Sequence, residues 1–138
     1  MNGVTVTVEG DEPSGLASML VELLRANLAE DPARARLLRD SVATLEAADA
    51  GVVTTIRLSP GHAVVADGAT ARAHLRVRTS GEGLLALAAA PLRFGFPDPF
   101  TPEGRTVLRD VARGQLRIGG LLSHPVRAAR LTKLLSVR

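Results

Sequence analysis

Cysteine, tryptophan and tyrosine are absent from this 138-residue chain, and aromatic residues make up 2% of it. The missing cysteines exclude a disulfide framework, thiol chemistry and any zinc site built on Cys ligands. The aromatics are three phenylalanines, Phe94, Phe96 and Phe100, confined to a single segment. A sheet without aromatic faces is a poor platform for stacking bases, which argues against recognition of single-stranded nucleic acid. Charge of one sign is also scarce. The formal net charge is +3, and the pI near 10.9 reflects a small excess of arginine in a chain with a single lysine, Lys133, and no tyrosine or cysteine to titrate below the arginine range. No apolar run approaches the ~18 residues of a membrane span. The opening Met1-Asn2-Gly3-Val4-Thr5-Val6 has neither the basic region nor the apolar core of a leader, and the tail Ser136-Val137-Arg138 differs from the S-K-L peroxisomal address. The expectation is one cytoplasmic domain over residues 1–138, long enough to bury a core without staples.

What is present is a sequence of short periodic segments. Val4, Val6 and Val8 alternate with Thr5, Thr7 and Glu9, which predicts a half-buried strand. Ser14 is placed to cap a helix whose apolar positions Leu16, Met19, Leu20, Leu23, Leu24 and Leu28 form one stripe. Asp31-Pro32 pairs an N-cap acid with Pro at the first helical position. A second helix is therefore expected to run to about Leu45, with Leu37, Leu38 and Val42 inward. Strands follow. One carries Val52, Thr54, Ile56 and Leu58 on a single face, and the next spans His62 to Ala66, with Ser59-Pro60-Gly61 turning between them. Asp67-Gly68 reads as a hairpin turn into a strand with Ala73, Leu75 and Val77 inward and Arg72, His74, Arg76 and Arg78 outward. Ser80 would cap a Leu/Ala-rich helix containing Leu84, Leu85 and Leu87. A Pro- and Phe-containing loop, residues 91–100, leads to a short helix opened by Thr101-Pro102, with Val107, Leu108 and Val111 as its apolar face. Gly114 stops it. The strand Gly114–Gly120 and a final helix from Leu121 to Leu135, with Ser123 as its cap, close the chain. Close-set strands with one alternately polar face predict an α+β two-layer sandwich. Its sheet would have about five strands, mainly antiparallel or mixed, with helices on one face.

Few constellations carry chemistry. His62, His74 and His124 show no metal-ligand spacing and read as surface or turn histidines. There is no G-x-S-x-G elbow. Gly81-Glu82-Gly83-Leu84-Leu85-Ala86 matches G-x-G-x-x-A, but the strand before it alternates Arg and apolar residues and so is half-exposed. A dinucleotide fingerprint follows a strand buried on both faces. Arg57, Arg72, Arg76, Arg78 and Arg117 fall on outward strand positions. The plain interpretation is a solvated face. The sharper one is weak docking on an anionic membrane through Arg72, Arg76 and Arg78, at about 1 kcal/mol per residue. In the last helix Arg127, Arg130 and Lys133 mark a wet face opposite a broad apolar arc of Leu122, Val126, Ala128, Ala129, Leu131, Leu134 and Leu135. Such a helix serves either as ordinary packing or as the cover of a cavity.

The ordered set resembles the sterol carrier protein type two family. The run Ala69–Arg78 after Asp67-Gly68 is similar to the family's small residues and alternating strand. Ser80-Gly81-Glu82-Gly83-Leu84-Leu85-Ala86-Leu87 resembles its Leu-Leu helix start, and Gly114-Gln115-Leu116-Arg117-Ile118-Gly119-Gly120 its final strand. The likeness covers residues 45–138, and the Pro/Phe loop with its short helix is a departure from it. The resemblance implies non-catalytic binding or transfer of a lipid-like molecule (sterol, fatty acid or acyl thioester) in an internal cavity, with no cofactor, no metal and no nucleic acid. The lining it implies is Leu84, Leu87, Phe94, Phe96, Phe100, Leu121, Leu122, Val126, Leu131 and Leu134. The alternative is a ligand-free structural or protein-interaction module of the same fold.

Overall fold

The structure is a computed structural model and describes residues 4–10, 12–70, 72–80, 92–93, 96–97, 101–113, 117–120 and 123–136. Strand β1 (Thr5–Val8) leads to helix α1 (Gly15–Glu30) and a 3-10 turn over Pro32–Leu37. Three strands follow as a meander, β2 (Ser41–Ala47), β3 (Val52–Ser59) and β4 (His62–Asp67), and then β5 (Leu75–Thr79). A small hairpin pairs β6 (Leu92–Arg93) with β7 (Phe96–Pro97). Helix α2 (Pro102–Ala112), strand β8 (Arg117–Gly119) and helix α3 (Pro125–Leu135) complete the described chain.

The main sheet is mixed, in the order β1-β4-β3-β2-β5-β8. The meander is antiparallel, with Leu45 opposite Thr54 and Ile56 opposite Val65. Strand β5 runs parallel to β2, and β8 returns antiparallel to β5 with Ile118 opposite Val77. The expected sheet of about five strands has six, because β1 adds to one border, parallel to β4 with Val6 opposite Ala63. The alternation of side chains along each strand puts Val6, Ala63, Val65, Ile56, Leu58, Ala43, Leu45, Leu75 and Val77 on one face, and all of them are buried. Helix α1 closes over that face with Ala17, Leu20, Val21 and Leu24, and α3 packs beside it with Ala128, Leu131 and Leu134.

Local chemistry fixes these elements. Ser14 has an extended backbone and its hydroxyl accepts from the Ala17 amide, so α1 starts where its cap predicts. The same Ser14 gives its amide and its hydroxyl proton to the two carboxylate oxygens of Asp67, at 2.7 and 2.6 Å, tying the start of α1 to the end of β4. The Thr54 hydroxyl donates to that carboxylate as well. Donation from Ser14 is the main reason the Asp67 carboxyl lies below its usual range. The buried stripe of α1 sits slightly around from the expected one: Ala17 and Val21 join Leu20 and Leu24, while Met19 and Leu23 are only half-buried.

Three sequence expectations are corrected. The second helix does not reach Leu45. The 3-10 turn ends at Leu37, and Ser41–Ala47 is a strand of the sheet interior with partners on both sides. Alternating burial of Ala43, Leu45 and Ala47 against β3 and β5 outweighs the helical spacing of Leu37, Leu38 and Val42. Asp67-Gly68 does not close a hairpin. Strand β4 pairs with β1 and β3, and the chain crosses to the far side of β2 before β5 begins. The Thr55 hydroxyl donates to the Gly68 carbonyl at 2.6 Å, and Arg76 Nη2 donates to the Thr70 carbonyl at 3.4 Å. Both side chains belong to the face opposite the helices, so the crossover runs over that face. Thr44 and Thr55, which strand periodicity would expose there, are buried, with their hydroxyl oxygens 3.4 Å apart. The last helix starts at Pro125 with His124 in the N-cap position, not at Leu121 with Ser123 as its cap, because Pro is preorganised for the first helical position.

Candidate functional site

Helix α3 is the element on which the sequence reading centred, and it is tied to the body at both ends. At its C-terminal end Asn27 of α1, 95% buried, donates its amide Nδ2 to the Leu134 carbonyl at 2.8 Å. Arg34 Nη1 donates to the Ser136 carbonyl at 2.6 Å. The last carbonyls of a helix have no partner within it, so both bonds satisfy groups that burial would otherwise leave bare. At the N-terminal end Arg127 Nε donates to the Asp40 carbonyl at 3.2 Å, and Arg127 Nη1 lies 3.1 Å from His124 Nδ1. The His124 ring meets His74 edge to face, with centroids 5.2 Å apart. His74 Nδ1 accepts from the Val42 amide at 3.0 Å, and the His74 amide donates to the Val42 carbonyl at 2.8 Å. Partial burial is the first cause that lowers the His74 pKa from its ordinary value, followed by the Arg127 charge and then His124.

Two backbone features hold this corner. Gly120 has φ +87°, a left-handed conformation that favours glycine, and a Cβ there would stand 2.0 Å from the His74 carbonyl oxygen. The turn between β8 and α3 is thus pressed onto the residue that precedes β5. Ser41, at the start of β2 between the residues that Arg127 and His74 contact, is buried, and its hydroxyl has no hydrogen-bond partner among the described residues.

The expected lining is placed as follows. Leu131 and Leu134 lie in the core cluster, with Leu134 fully buried. Val126 lies on the same helix but is 59% exposed. The β6–β7 hairpin carries Phe96 opposite Arg93. Leu84, Leu87, Phe94, Phe100, Leu121 and Leu122 lie outside the described residues. Of the proposed membrane-facing arginines, Arg72 is exposed in the turn before β5, Arg76 reaches the crossover carbonyl, and Arg78 pairs with Glu46 at 3.3 Å across the β2–β5 ladder. Sequence reasoning did not single out Asn27, and it took His74 and His124 for surface or turn residues although they face each other half-buried. A polar residue on the inward side of a leucine stripe was the available signal for Asn27; nothing in the spacing joined the two histidines. Among the described residues no group of three or more His, Asp or Glu stands where it could hold a metal ion. No described helix is long and apolar enough to cross a membrane.

No family model matches the chain, and no curated protein matches it by sequence. By structure it is similar to a solved protein described as the UbiJ-SCP2 ubiquinone synthesis protein. The TM-score is 0.60 at 17% identity, over 87% of this chain and 92% of that one. Likeness at that identity is likeness of fold. A mixed sheet with helices α1 and α3 on one face is common ground with the resemblance read from the residues: the chain has an SCP2-like α+β fold.

Proposed function

We propose that this protein binds or transfers a lipid-like hydrophobic molecule, a sterol, a fatty acid or an acyl thioester, without catalysing a reaction on it, and that it does so in the cytoplasm. The observation that carries this reading is the fold shared with an SCP2-type protein over most of both chains. The apolar arc of α3 supports it, since that helix presents Leu131 and Leu134 inward and Val126 outward, and so extends beyond what the core cluster covers. The lining is drawn from the set given above, with α3 as the cover. Burial alone supplies the affinity. Each CH₂ removed from water contributes about 0.8 kcal/mol, so a dozen carbons give roughly 10 kcal/mol before ordering costs. The buried Ser41 hydroxyl offers one hydrogen bond to a polar end.

A second reading is a ligand-free structural or protein-interaction module. It is favoured by Leu24, Leu38, Ile56, Leu75 and Leu134, which are all fully buried within one cluster between helices and sheet. Native mass spectrometry of the purified protein, with titration of a fluorescent fatty acid, separates the two. The carrier reading expects a co-purified hydrophobe or saturable one-to-one uptake of the probe. Neither a bound hydrophobe nor saturation would leave the filled module.

A further inference from the structure

We propose that His74, His124 and Arg127 form an acid-opened latch that holds the N-terminal end of α3 to the start of β2. Nothing in it depends on what lies beneath the helix.

The geometry fixes the protonation each ring needs. A backbone amide can only donate, so the Val42 N–H pointing at His74 Nδ1 requires that nitrogen to be bare. A guanidinium can only donate as well, so Arg127 Nη1 beside His124 Nδ1 requires the second ring to present a lone pair too. Both imidazoles must therefore be neutral, each with its proton on Nε2, for the corner to hold together. Protonating His74 would set an N–H against the Val42 N–H at 3.0 Å. Protonating His124 would set an N–H and a positive charge against the Arg127 guanidinium at 3.1 Å. The two rings are also close enough that charging both sets like charges 5.2 Å apart.

The position of the cluster adds to this. His124 occupies the N-cap position of α3 and Arg127 lies in its first turn, where the helix dipole is positive and no acidic residue offsets it. Among the described residues, the charged and titratable groups at this corner are His74 ahead of β5, His124 and Arg127 on α3, and Asp40 ahead of β2. Asp40 contributes its carbonyl to Arg127, and Val42 and Gly120 contribute backbone alone. The lowered His74 pKa has the same sense: the folded protein resists the proton that the unfolded chain would take. The far end of α3 has no such dependence. Asn27 and Arg34 hold it with an amide and a guanidinium that do not titrate in this range. Acid therefore loosens one end of the helix, where the Arg127 bond to the Asp40 carbonyl is left to hold it, and leaves the other as a hinge.

The test is amide hydrogen exchange of the full chain at pH 7.5 and pH 5.0, corrected for the intrinsic pH dependence of exchange. The expected result is at least a tenfold (~) rise in opening at pH 5.0 for the Val42 amide and the Ala128 amide, which bonds the His124 carbonyl. The Ser136 amide at the other end of α3 should change less than about twofold. His124→Gln offers Arg127 a neutral acceptor without the new N-cap bond that Asn would add, and should abolish most of the difference; His62→Asn, at an exposed position at the start of β4, should leave it intact. Equal opening at both pH values, or full pH dependence in His124→Gln, would overturn the latch. Nitrogen-15 shifts of the imidazoles in the unaltered protein give a second reading free of any variant. Protons on Nε2 of both rings at pH 7.5 support the proposal, and a proton on Nδ1 of either ring refutes it.

Discussion

Replacing Asn27 with alanine should loosen α3 at its C-terminal end before it loosens anything else. The Asn27 amide gives the Leu134 carbonyl its hydrogen bond, at 2.8 Å, from a side chain in the core between α1 and α3. Removing the donor leaves a buried carbonyl without a partner, at about 1–3 kcal/mol. Alanine is the better helix former, by roughly 0.6 kcal/mol in the interior of α1, and this offsets part of the loss. The bond from the Asp31 amide to the Asn27 carbonyl is a backbone bond and survives. The net expectation is about 1–2 kcal/mol, a fall in Tm of about 4–7 °C for a chain of this size. Denaturant unfolding gives the total. Hydrogen exchange gives the place: the Ser136 amide, bonded to the Thr132 carbonyl, should open about tenfold more often, since ~1.4 kcal/mol is a factor of ten. A Tm within about 1 °C of the parent, with the end of α3 protected as before, would show that this bond does not tie the helix down.

Gly120→Ala should cost upwards of about 2 kcal/mol, since it combines a positive φ with a Cβ placed on the His74 carbonyl; an unchanged denaturation midpoint would contradict that close approach. Val126→Asp, at an exposed position, should leave stability within about 0.5 kcal/mol while lowering uptake of a fluorescent fatty acid, and unaltered uptake would argue against α3 as the cover. Leu131→Arg is unsuited to that purpose, because Leu131 is in the core and a charge there should unfold the protein, as circular dichroism would report. Asp67 has a folded pKa below its unfolded value near 3.8, so the stability it contributes is present above that value and is lost as pH falls through the folded one. Asp67→Asn should flatten that part of the acid limb in unfolding measured between pH 6 and pH 2; an identical slope would refute the assignment.

The parts of the fold legible in the residues were those where one periodicity dominates. Alternating Val and Thr gave β1, β3 shows its inward row of Thr54, Ile56 and Leu58, and Ser14 and Thr101-Pro102 mark helix starts. Strand β2 was not legible, because Ala43, Leu45, Glu46 and Ala47 suit a helix as well as a strand and the choice is made by neighbours on both sides. The crossover was hidden for a related reason. Asp67-Gly68 has the chemistry of a tight turn whichever partner the next strand finds, and it finds β2. At the candidate site the burial of Leu131 and Leu134 could be read from the spacing of α3, but the exposure of Val126 on the same arc could not. The corner of His74, His124 and Arg127 could not. Its members come from distant points in the chain and meet only because β5 lies beside β2 and the Gly120 turn delivers α3 to them.

Both borders of the sheet are built from chain far from its middle. The three meander strands find one another through short links, whereas β1 must wait for β4, and β8 for β5. Contacts between sequence-distant segments form late because closing long loops costs entropy in advance. Assembly should therefore proceed from the centre outward, with the opening strand annealing to a sheet that already exists. Arg25, reaching from α1 to the Val6 carbonyl at 2.8 Å, then acts as the fastener that seats it.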